Sequence, residues 1–309
     1  MTSVVARASL CYSFFMNETK TNLKIGLVMA GGAMRGMFTS GVLDVFMENS
    51  IEFDGAIGVS AGATFGCNFK SRQIGRAIRY NKRFAHDWRY CSFRSLLLTG
   101  DLYGADFCYD RLPNSLDIFD VDSYKNNPME FYCVASDCVT GLPVYKKLET
   151  CDKNDLTWMR ASASMPLVSR PVEIDGYKLL DGGMSDPVPF EYFESLGYTK
   201  NVVILTQPLN CKKKRSSLFP LMKILLKKYP LCVKALSLYG KTYNDEIERL
   251  IQKADRGEVL VICPEYPLQI SRIEHNPERL DAVYEYGRIV ASSMLGEVRK
   301  FLESAKKPQ

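Results

Sequence analysis

Short apolar runs alternate with amphipathic stretches in the first 70 residues of the chain. Residues 24–29 form an apolar run that leads into glycines, and residues 53–59 form a second one. Each is followed by a segment with helical spacing, over residues 37–48 and 61–69. Continuous apolar runs of this length are typical of strands buried on both faces. The strand–helix–strand–helix order therefore predicts an α/β fold with a parallel sheet.

The same pattern continues towards the C-terminus. Further apolar runs predict strands at residues 131–134, 202–205 and 259–263. Glycines interrupt the segments 134–145 and 172–180, which predicts two hairpins. Helical spacing predicts six more helices, over residues 72–84, 155–163, 187–196, 218–228, 241–254 and 277–302.

One compact body is expected from these elements, since no repeat, low-complexity segment or glycine- or proline-rich linker divides the chain. We expect residues 1–23 to be a disordered or loosely docked tail, residues 24–207 the core, and residues 208–309 a helical and strand extension packed on it. Residues 8–16 only faintly resemble a signal-peptide core, and no cleavage site follows them. No apolar run approaches the roughly 20 residues that span a bilayer. The cytoplasm is the expected location.

Cysteine and histidine usage argues against a metal site. The ten cysteines are scattered, form no CxxC pair and lie mostly in apolar runs, as buried free thiols in a reducing compartment do. Only two histidines are present, and no Cys/His spacing suits zinc. We therefore expect neither a metal nor a cofactor.

A serine flanked by two glycines follows the second predicted strand, in Gly58-Val59-Ser60-Ala61-Gly62. A GxSxG stretch between strand and helix is typical of a nucleophile elbow, whose tight turn projects the serine Oγ into a cleft. Amides at the start of the next helix would favour negative charge developing there. The alternative is an ordinary tight turn, because GxSxG also arises by chance.

The first predicted strand leads into another glycine-rich stretch, Gly31-Gly32-Ala33-Met34-Arg35-Gly36. Its backbone amides could bind the oxyanion of a tetrahedral intermediate, and Arg35 would add positive potential. A phosphate-binding loop is the alternative, but the glycine spacing is not GxGxxG and no GK[ST] follows. Together the two stretches favour acyl transfer on Ser60.

The general base that such a serine needs is less plainly indicated. The order Ser60, acid, His275 would match an α/β-hydrolase, although His275 lies in a charged segment typical of exposed or capping residues. The segment around His86 gives that histidine no special claim either. Asp181-Gly182-Gly183 follows a predicted strand and offers a carboxylate instead. DGG also ends ordinary hairpins, so the residues alone leave the base open.

Three motifs in this order, at residues 31–36, 58–62 and 181–183, resemble the patatin-like phospholipase family, which carries GGGxRG-type, GxSxG and DG[GA] motifs. Further stretches at residues 137–141, 161–166 and 279–287 resemble its intracellular bacterial branch. The resemblance implies a three-layer αβα sandwich with a mostly parallel central sheet and a catalytic core over residues 24–207. It also implies a catalytic dyad and an oxyanion loop: Ser60 as nucleophile, Asp181 as general base, amides of Gly31, Gly32, Ala33, Met34, Arg35 and Gly36 around the oxyanion, and Gly58 and Gly62 shaping the nucleophile turn.

Ala33 departs from this pattern, because the family usually has a third glycine there. Alanine keeps the N–H but adopts positive φ only at a cost of about 1 kcal/mol or more. The sequence is therefore consistent with two functions. One is a serine acyl hydrolase acting on lipid esters, and the other is a catalytically weak or inactive lipid-binding protein that retains the fold.

Charge is unevenly placed along a chain whose net charge is +5. Residues 210–244 contain nine basic residues and no acidic one, and a helically spaced apolar stripe begins at Leu218. We expect this stripe to pack on the core; the alternative is peripheral contact with an anionic membrane surface, such as the inner membrane. Four arginines of the helix predicted at 72–84 are expected to be solvated, with headgroup binding as the alternative. No aromatic platform supports nucleic-acid binding, and the oligomeric state is not indicated.

Overall fold

The structure, a computed structural model, describes residues 23–306. The tail expected over residues 1–23 lies, except for Leu23, outside the described residues. Within residues 23–306, no helix is long and apolar enough to cross a membrane.

An eight-stranded sheet forms the centre of the molecule. Its strands are β1 (Ile25–Met29), β2 (Gly55–Val59), β3 (Glu130–Asp137), β4 (Pro143–Lys147), β5 (Val172–Ile174), β6 (Tyr177–Asp181), β7 (Lys200–Ile204) and β8 (Val259–Ile262). They lie in the order β5-β6-β3-β2-β1-β7-β8, with β4 also paired to β3. The five strands from β3 to β8 in this order are parallel, whereas β4, β5 and β6 pair in antiparallel fashion. The expected mostly parallel sheet is confirmed.

Ten α-helices of the described chain surround this sheet. They are α1 (Gly36–Glu48), α2 (Ala61–Lys70), α3 (Arg76–Arg83), α4 (Phe93–Thr99), α5 (Val121–Asn126), α6 (Lys153–Ser162), α7 (Phe190–Ser195), α8 (Phe219–Leu225), α9 (Pro230–Asp255) and α10 (Pro277–Lys306). A π-helix spans Phe107–Leu116, and short 3₁₀ turns lie at Ala33–Arg35 and Gly182–Met184.

Alternating side chains of the central strands bury two separate cores, one on each face of the sheet. Leu27 and Met29 join a core with side chains of α1, α2, α6 and α10. Val28 lies on the opposite face, in a second core with side chains of α7 and α9. Because successive strand residues point to opposite faces, one strand supplies both cores. The three-layer αβα sandwich is confirmed.

The strand register brings the functional loops to one edge of the sheet. Met29 at the end of β1 lies opposite Gly58 in β2 and Ile204 in β7. The loops after these parallel strands therefore leave the sheet side by side, as the carboxyl ends of parallel strands do. On the other side of β2, Ala135 of β3 pairs with Asp181 of β6.

The boundaries of several elements differ from the sequence prediction. Helix α9 begins at Pro230 rather than at residue 241, because proline is well accommodated in the first turn of a helix. Helices α4 and α5 and the π-helix, within residues 93–126, were not predicted. The N-cap residues of α4 and α5 could have indicated these two helices, because Ser92 and Asp120 each accept a backbone N–H at the helix start. The hairpins were predicted correctly, with Gly141 and Gly176 at positive φ.

The expectation that the apolar stripe from Leu218 packs on the core was wrong for most of it. Helix α8 contains no buried residue. Of the stripe, Leu226 is buried in a small core at 8% exposure, and the partly buried Tyr229 packs against the same core. The helix is seven residues long, and the next helix begins at Pro230.

Of the four arginines expected to be solvated, Arg72, Arg79 and Arg83 are exposed, and only Arg76 is buried. Arg76 is 4% exposed and forms an ion pair with Asp117, which Arg79 also binds through two hydrogen bonds. Arg83 donates to the Leu116 carbonyl at 2.7 Å. These side chains fasten the end of the π-helix to the body of the protein.

Candidate active site

Ser60 lies in the turn between β2 and α2, with backbone angles φ 54° and ψ −120°. A non-glycine residue in this region is strained, at a cost on the order of 1–3 kcal/mol, and such strain is typical of functional turns. The turn needs its glycines: a Cβ on Gly58 would overlap the Gly62 backbone, and one on Gly62 would overlap the Met29 carbonyl. The GxSxG stretch therefore forms the geometry of a nucleophile elbow.

Asp181 stands at the end of β6 and is brought close to Ser60. Both side chains are buried: Ser60 is 6% exposed and Asp181 is 8% exposed. Asp181 Oδ1 accepts the Gly183 N–H at 2.8 Å, which fixes the carboxyl group above the 3₁₀ turn. No well-aligned hydrogen bond from Ser60 Oγ to this carboxyl is formed in the described chain; such bonds often tighten only when substrate binds.

Burial raises the pKa of Asp181 to about 6. The nearby Ser60 hydroxyl and the Gly183 N–H act in the opposite direction, because both stabilise the carboxylate. A carboxyl group with this pKa is largely ionised at pH 7 and more basic than an exposed aspartate. Asp181 therefore has the protonation state that a general base requires.

Ser162, the last residue of α6, and Ser164, just after it, connect the Ser60 turn with the strand that carries Asp181. Ser162 Oγ accepts the Ser60 N–H at 2.9 Å. The Ser164 carbonyl accepts the Asp181 N–H at 2.8 Å. In the sequence, residues 161–166 are distinguished only by the family resemblance, which gives them no role. The structure shows that this segment holds both backbone positions.

The glycine-rich loop after β1 presents amides beside the Ser60 turn. A Cβ on Gly31 would lie 3.1 Å from Ser60 Cβ, so the loop and the turn are in contact. Within residues 23–306, the N–H groups of Gly31, Gly32, Ala33 and Met34 have no hydrogen-bond acceptor. Unpaired amides gathered next to a nucleophile are what an oxyanion hole requires. The Arg35 N–H differs, since it donates to the Gly32 carbonyl.

Ala33 has a φ of 49°, in the left-handed region. The position that carries glycine in the family thus has a left-handed backbone here despite its Cβ, at a cost of about 1–2 kcal/mol. Thr206, after β7, secures the loop by donating from Oγ1 to the Gly31 carbonyl at 2.8 Å. A Cβ on Gly32 would lie 2.5 Å from the same Oγ1. Packing against β7 therefore holds the loop in place.

Three cations surround the site without a carboxylate partner among the described residues: Arg35, Lys213 and Arg272. Burial lowers the pKa of Lys213 to about 7, and repulsion from the two arginines lowers it further. Lys213 Nζ donates to the Tyr239 hydroxyl at 2.7 Å. Arg272 and Lys213 both favour the charged form of Asp181. In the sequence, Lys213 is only one member of a basic run and gives no sign of this position.

An apolar cavity opens from Ser60 into the protein. It contains about 860 Å³ of space not filled by protein atoms, including its open mouth. Ala33, Met34 and Ser60 line it, and most of the remaining wall is aromatic or aliphatic, including Tyr80, Tyr103, Leu112, Phe119 and Met159. The size and lining suit an apolar chain.

The segment from Ser92 to Leu116 forms part of the cavity wall. Tyr103 lies between α4 and the π-helix, and Cys108 and Leu112 belong to the π-helix; all three line the cavity. π-Helices occur often at functional sites. The arginines of α3 hold the far end of this segment in place, so it covers the cavity as a fixed wall.

Comparison with known proteins identifies the family. A family model described as patatin-like phospholipase matches residues 27–194, which is more than half of the chain. The chain belongs to the patatin-like phospholipase family. A second model, described as a domain of unknown function, matches residues 229–303.

Relatives of this patatin-like chain differ widely in length. Protein YjjU of Escherichia coli is 28% identical over 302 residues, covering 90% of this chain and 79% of its own. The putative patatin-like phospholipase domain-containing protein M110.7 of Caenorhabditis elegans is 28% identical, and lysophospholipase nte1 of Aspergillus oryzae is 27% identical. The match to M110.7 covers 60% of this chain and 17% of M110.7. The match to nte1 covers 56% of this chain and 11% of nte1. Among solved structures, VipD from Legionella pneumophila matches with a TM-score of 0.44 and 11% identity, and the match covers 89% of this chain and 67% of VipD.

His275 is engaged elsewhere in this patatin-like fold. Its Nδ1 forms a hydrogen bond of 2.7 Å with the Ala85 carbonyl. Of the described residues that line the cavity at Ser60, none is a histidine. The geometry therefore favours Asp181 over His275 as the partner of Ser60.

Proposed function

We propose that this chain is a serine acyl hydrolase that cleaves acyl esters of lipids through an acyl-enzyme on Ser60. One observation carries the proposal: a strained serine lines an apolar cavity, and a buried aspartate and a row of unpaired amides lie beside that serine. The phospholipase and lysophospholipase names of its relatives support a lipid ester as substrate.

In the first half of the reaction, Asp181 accepts the proton of the Ser60 hydroxyl as Oγ attacks the ester carbonyl carbon. The carbonyl oxygen becomes an oxyanion, and the free amides of Gly32, Ala33 and Met34 donate hydrogen bonds to it. When the tetrahedral intermediate collapses, the bond to the alcohol breaks. The alcohol takes the proton from Asp181 and leaves the acyl group on Ser60.

The second half repeats these steps with water as nucleophile. Asp181, again ionised, accepts a proton from water as the water oxygen attacks the acyl-enzyme. Collapse returns the proton to Ser60 Oγ and releases the fatty acid. During both halves the acyl chain lies in the cavity, where burial of its methylene groups contributes about 0.8 kcal/mol each to binding.

The test is hydrolysis of a short-chain p-nitrophenyl ester by the wild type, Ser60→Ala and Asp181→Asn. We expect each variant to lose at least about 10³-fold in kcat, since either change removes a member of the dyad. Matched controls are Ser71→Ala and Asp44→Asn, which alter a buried serine and a buried aspartate away from the cavity. Equal rates in the wild type and both site variants would disprove the dyad.

A lipid-binding protein without turnover is the second candidate, motivated by the left-handed Ala33. A fluorophosphonate probe that becomes attached to Ser60 separates the two, because only an activated serine reacts with it. We expect rapid labelling of the wild type and none of Ser60→Ala. An unlabelled wild type that still binds fatty acid in the cavity would favour the second candidate.

A further inference from the structure

Helix α8 exposes large apolar side chains on a part of the protein that the proposed chemistry does not use. Leu218, Leu221, Ile224 and Leu225 are 55%, 47%, 65% and 60% exposed. Exposed apolar residues scattered singly are ordinary, but four within eight positions of one short segment form a patch. Such patches mark surfaces that bind another molecule or a membrane.

The patch continues onto the neighbouring segments. Leu231, in the first turn of α9, is 48% exposed. The β3–β4 turn lies against this point, because a Cβ on Gly141 would lie 2.5 Å from the Leu231 carbonyl. The same turn exposes Val139 and Leu142, at 58% and 63%. Two separate parts of the chain therefore contribute to one apolar surface.

Unpaired cations accompany these side chains. Arg215, Lys223, Lys227 and Lys228 are exposed, and within residues 23–306 none has a carboxylate within 4.0 Å. No acidic residue occurs between residues 210 and 244. Lysines that flank exposed leucines can extend their charged ends beside the apolar surface. We call the side chains of residues 215–231 and the turn 139–142 the basic apolar surface.

This surface is joined firmly to the part of the fold that carries Asp181. Leu226 and Cys232 pack in a small core with Leu180 and Met184, which immediately precede and follow the Asp181 turn. Whatever binds the basic apolar surface is thereby held at a fixed position relative to the proposed catalytic pair.

We propose that the basic apolar surface docks on an anionic lipid bilayer, with its leucines among the acyl chains and its lysines at the headgroups. Charge complementarity indicates which partner the basic apolar surface binds. A second copy of the chain in a two-fold contact would place this cationic face against itself, which is repulsive. An anionic membrane supplies both the apolar interior and the negative charge that the surface lacks. Docking would place the proposed hydrolase at its lipid source, but the binding itself does not depend on turnover.

The experiment measures co-sedimentation of full-length Ser60→Ala protein, which leaves lipid intact, with vesicles. One set contains phosphatidylcholine alone, and the other contains phosphatidylcholine with phosphatidylglycerol. We expect binding to the anionic vesicles only, weakening as salt is raised because charges at the surface are screened. Replacing Lys223, Lys227 and Lys228 by glutamine should weaken binding about 100-fold, at about fivefold per lysine.

Matched variants separate the surface from general effects of charge and hydrophobicity. The charge control replaces three exposed, unpaired lysines elsewhere, Lys125, Lys153 and Lys300, by glutamine, and we expect less than about a twofold change. The apolar variant Leu221→Ser with Ile224→Ser should weaken binding about tenfold or more. Its control, Ile74→Ser with Ile289→Ser, changes residues of nearly the same exposure, 46% and 65%, and should have no effect.

Three outcomes would overturn the proposal: no binding to anionic vesicles, equal binding to neutral and anionic vesicles, or equal loss in surface and control variants. A dimer that dissociates in Leu221→Ser with Ile224→Ser, without vesicle binding, would instead assign the surface to a second copy. Hydrolysis of a soluble ester by the surface variants, made with Ser60 intact, should be unchanged. Failure of the Ser60 and Asp181 tests with vesicle binding intact would refute the proposed chemistry alone.

Discussion

Replacing Asp181 by asparagine is expected to stabilise the fold above pH 6 while abolishing hydrolysis. Burial raises the pKa of Asp181 from 3.8 to about 6. A carboxyl group whose pKa is higher in the folded than in the unfolded chain stabilises the folded state fully below pH 3.8. That contribution is lost as the pH rises through 6, because the buried group must then ionise. Asparagine has no proton to lose.

The magnitude follows from the shift. A rise of about 2 pKa units corresponds to about 3 kcal/mol of unfolding free energy lost between low pH and pH 8. By the linkage between proton binding and folding, about 1.4 kcal/mol of this unfolding free energy is lost between pH 5 and pH 8. The difference in unfolding free energy between Asp181→Asn and the wild type should therefore grow by about 1.4 kcal/mol over that interval.

Urea unfolding at pH 5 and pH 8 measures this difference, with Asp44→Asn as the matched control. Burial also raises the pKa of Asp44 to about 6, and Asp44 does not line the cavity. Both variants should gain stability relative to the wild type as the pH rises, but only Asp181→Asn should lose hydrolysis. In the wild type, kcat/KM should rise with pH and level off above about pH 6. A stability difference that is the same at both pH values would refute the argument from burial.

Three further changes test other parts of the site. Ala33→Gly removes the strain of a left-handed alanine but gives the unfolded chain more freedom, so the free energy of unfolding should stay within about 1 kcal/mol of the wild type. Labelling of Ser60 by the fluorophosphonate probe should be undiminished, and a tenfold loss of labelling would contradict this. Arg76→Met should destabilise the protein by about 3 kcal/mol in urea unfolding, because it leaves a buried carboxylate with one partner fewer, whereas Arg72→Met, in an exposed ion pair, should cost under about 1 kcal/mol. Leu112→Trp should fill the cavity and reduce hydrolysis of long-chain relative to short-chain p-nitrophenyl esters at least about tenfold, while Ile118→Trp, exposed in the adjoining loop, should leave the ratio unchanged.

Sequence reasoning was most successful where local chemistry determines the structure. The apolar runs of β1 and β2 and the glycines after them predicted the parallel strands, the Ser60 turn and the adjoining loop. A turn whose backbone must pass close to its neighbours restricts the residues it accepts, so the restriction is visible in the sequence.

Features that depend on distant parts of the chain were not predictable in the same way. The link between Ser60 and Asp181 through Ser162 and Ser164 joins segments about 100 and 17 residues apart, and an isolated serine gives no sign of such a partner. The apolar stripe of α8 has the spacing of a core helix, and spacing alone does not say whether a face is covered. The left-handed Ala33 is likewise imposed by its surroundings, since alanine does not favour that backbone.

Residues 162–165, in which Ser162 and Ser164 bind the backbone of Ser60 and Asp181, also border the cavity, through Ala163 and Met165. Under the proposed mechanism, an acyl chain that fills the cavity would therefore press on the same residues that set the spacing of Ser60 and Asp181. Chain length should then affect the rate of the chemical step as well as affinity, so kcat should increase from short to long acyl esters until the cavity is full. Equal kcat values across that series would show that residues 162–165 do not move when an acyl chain fills the cavity.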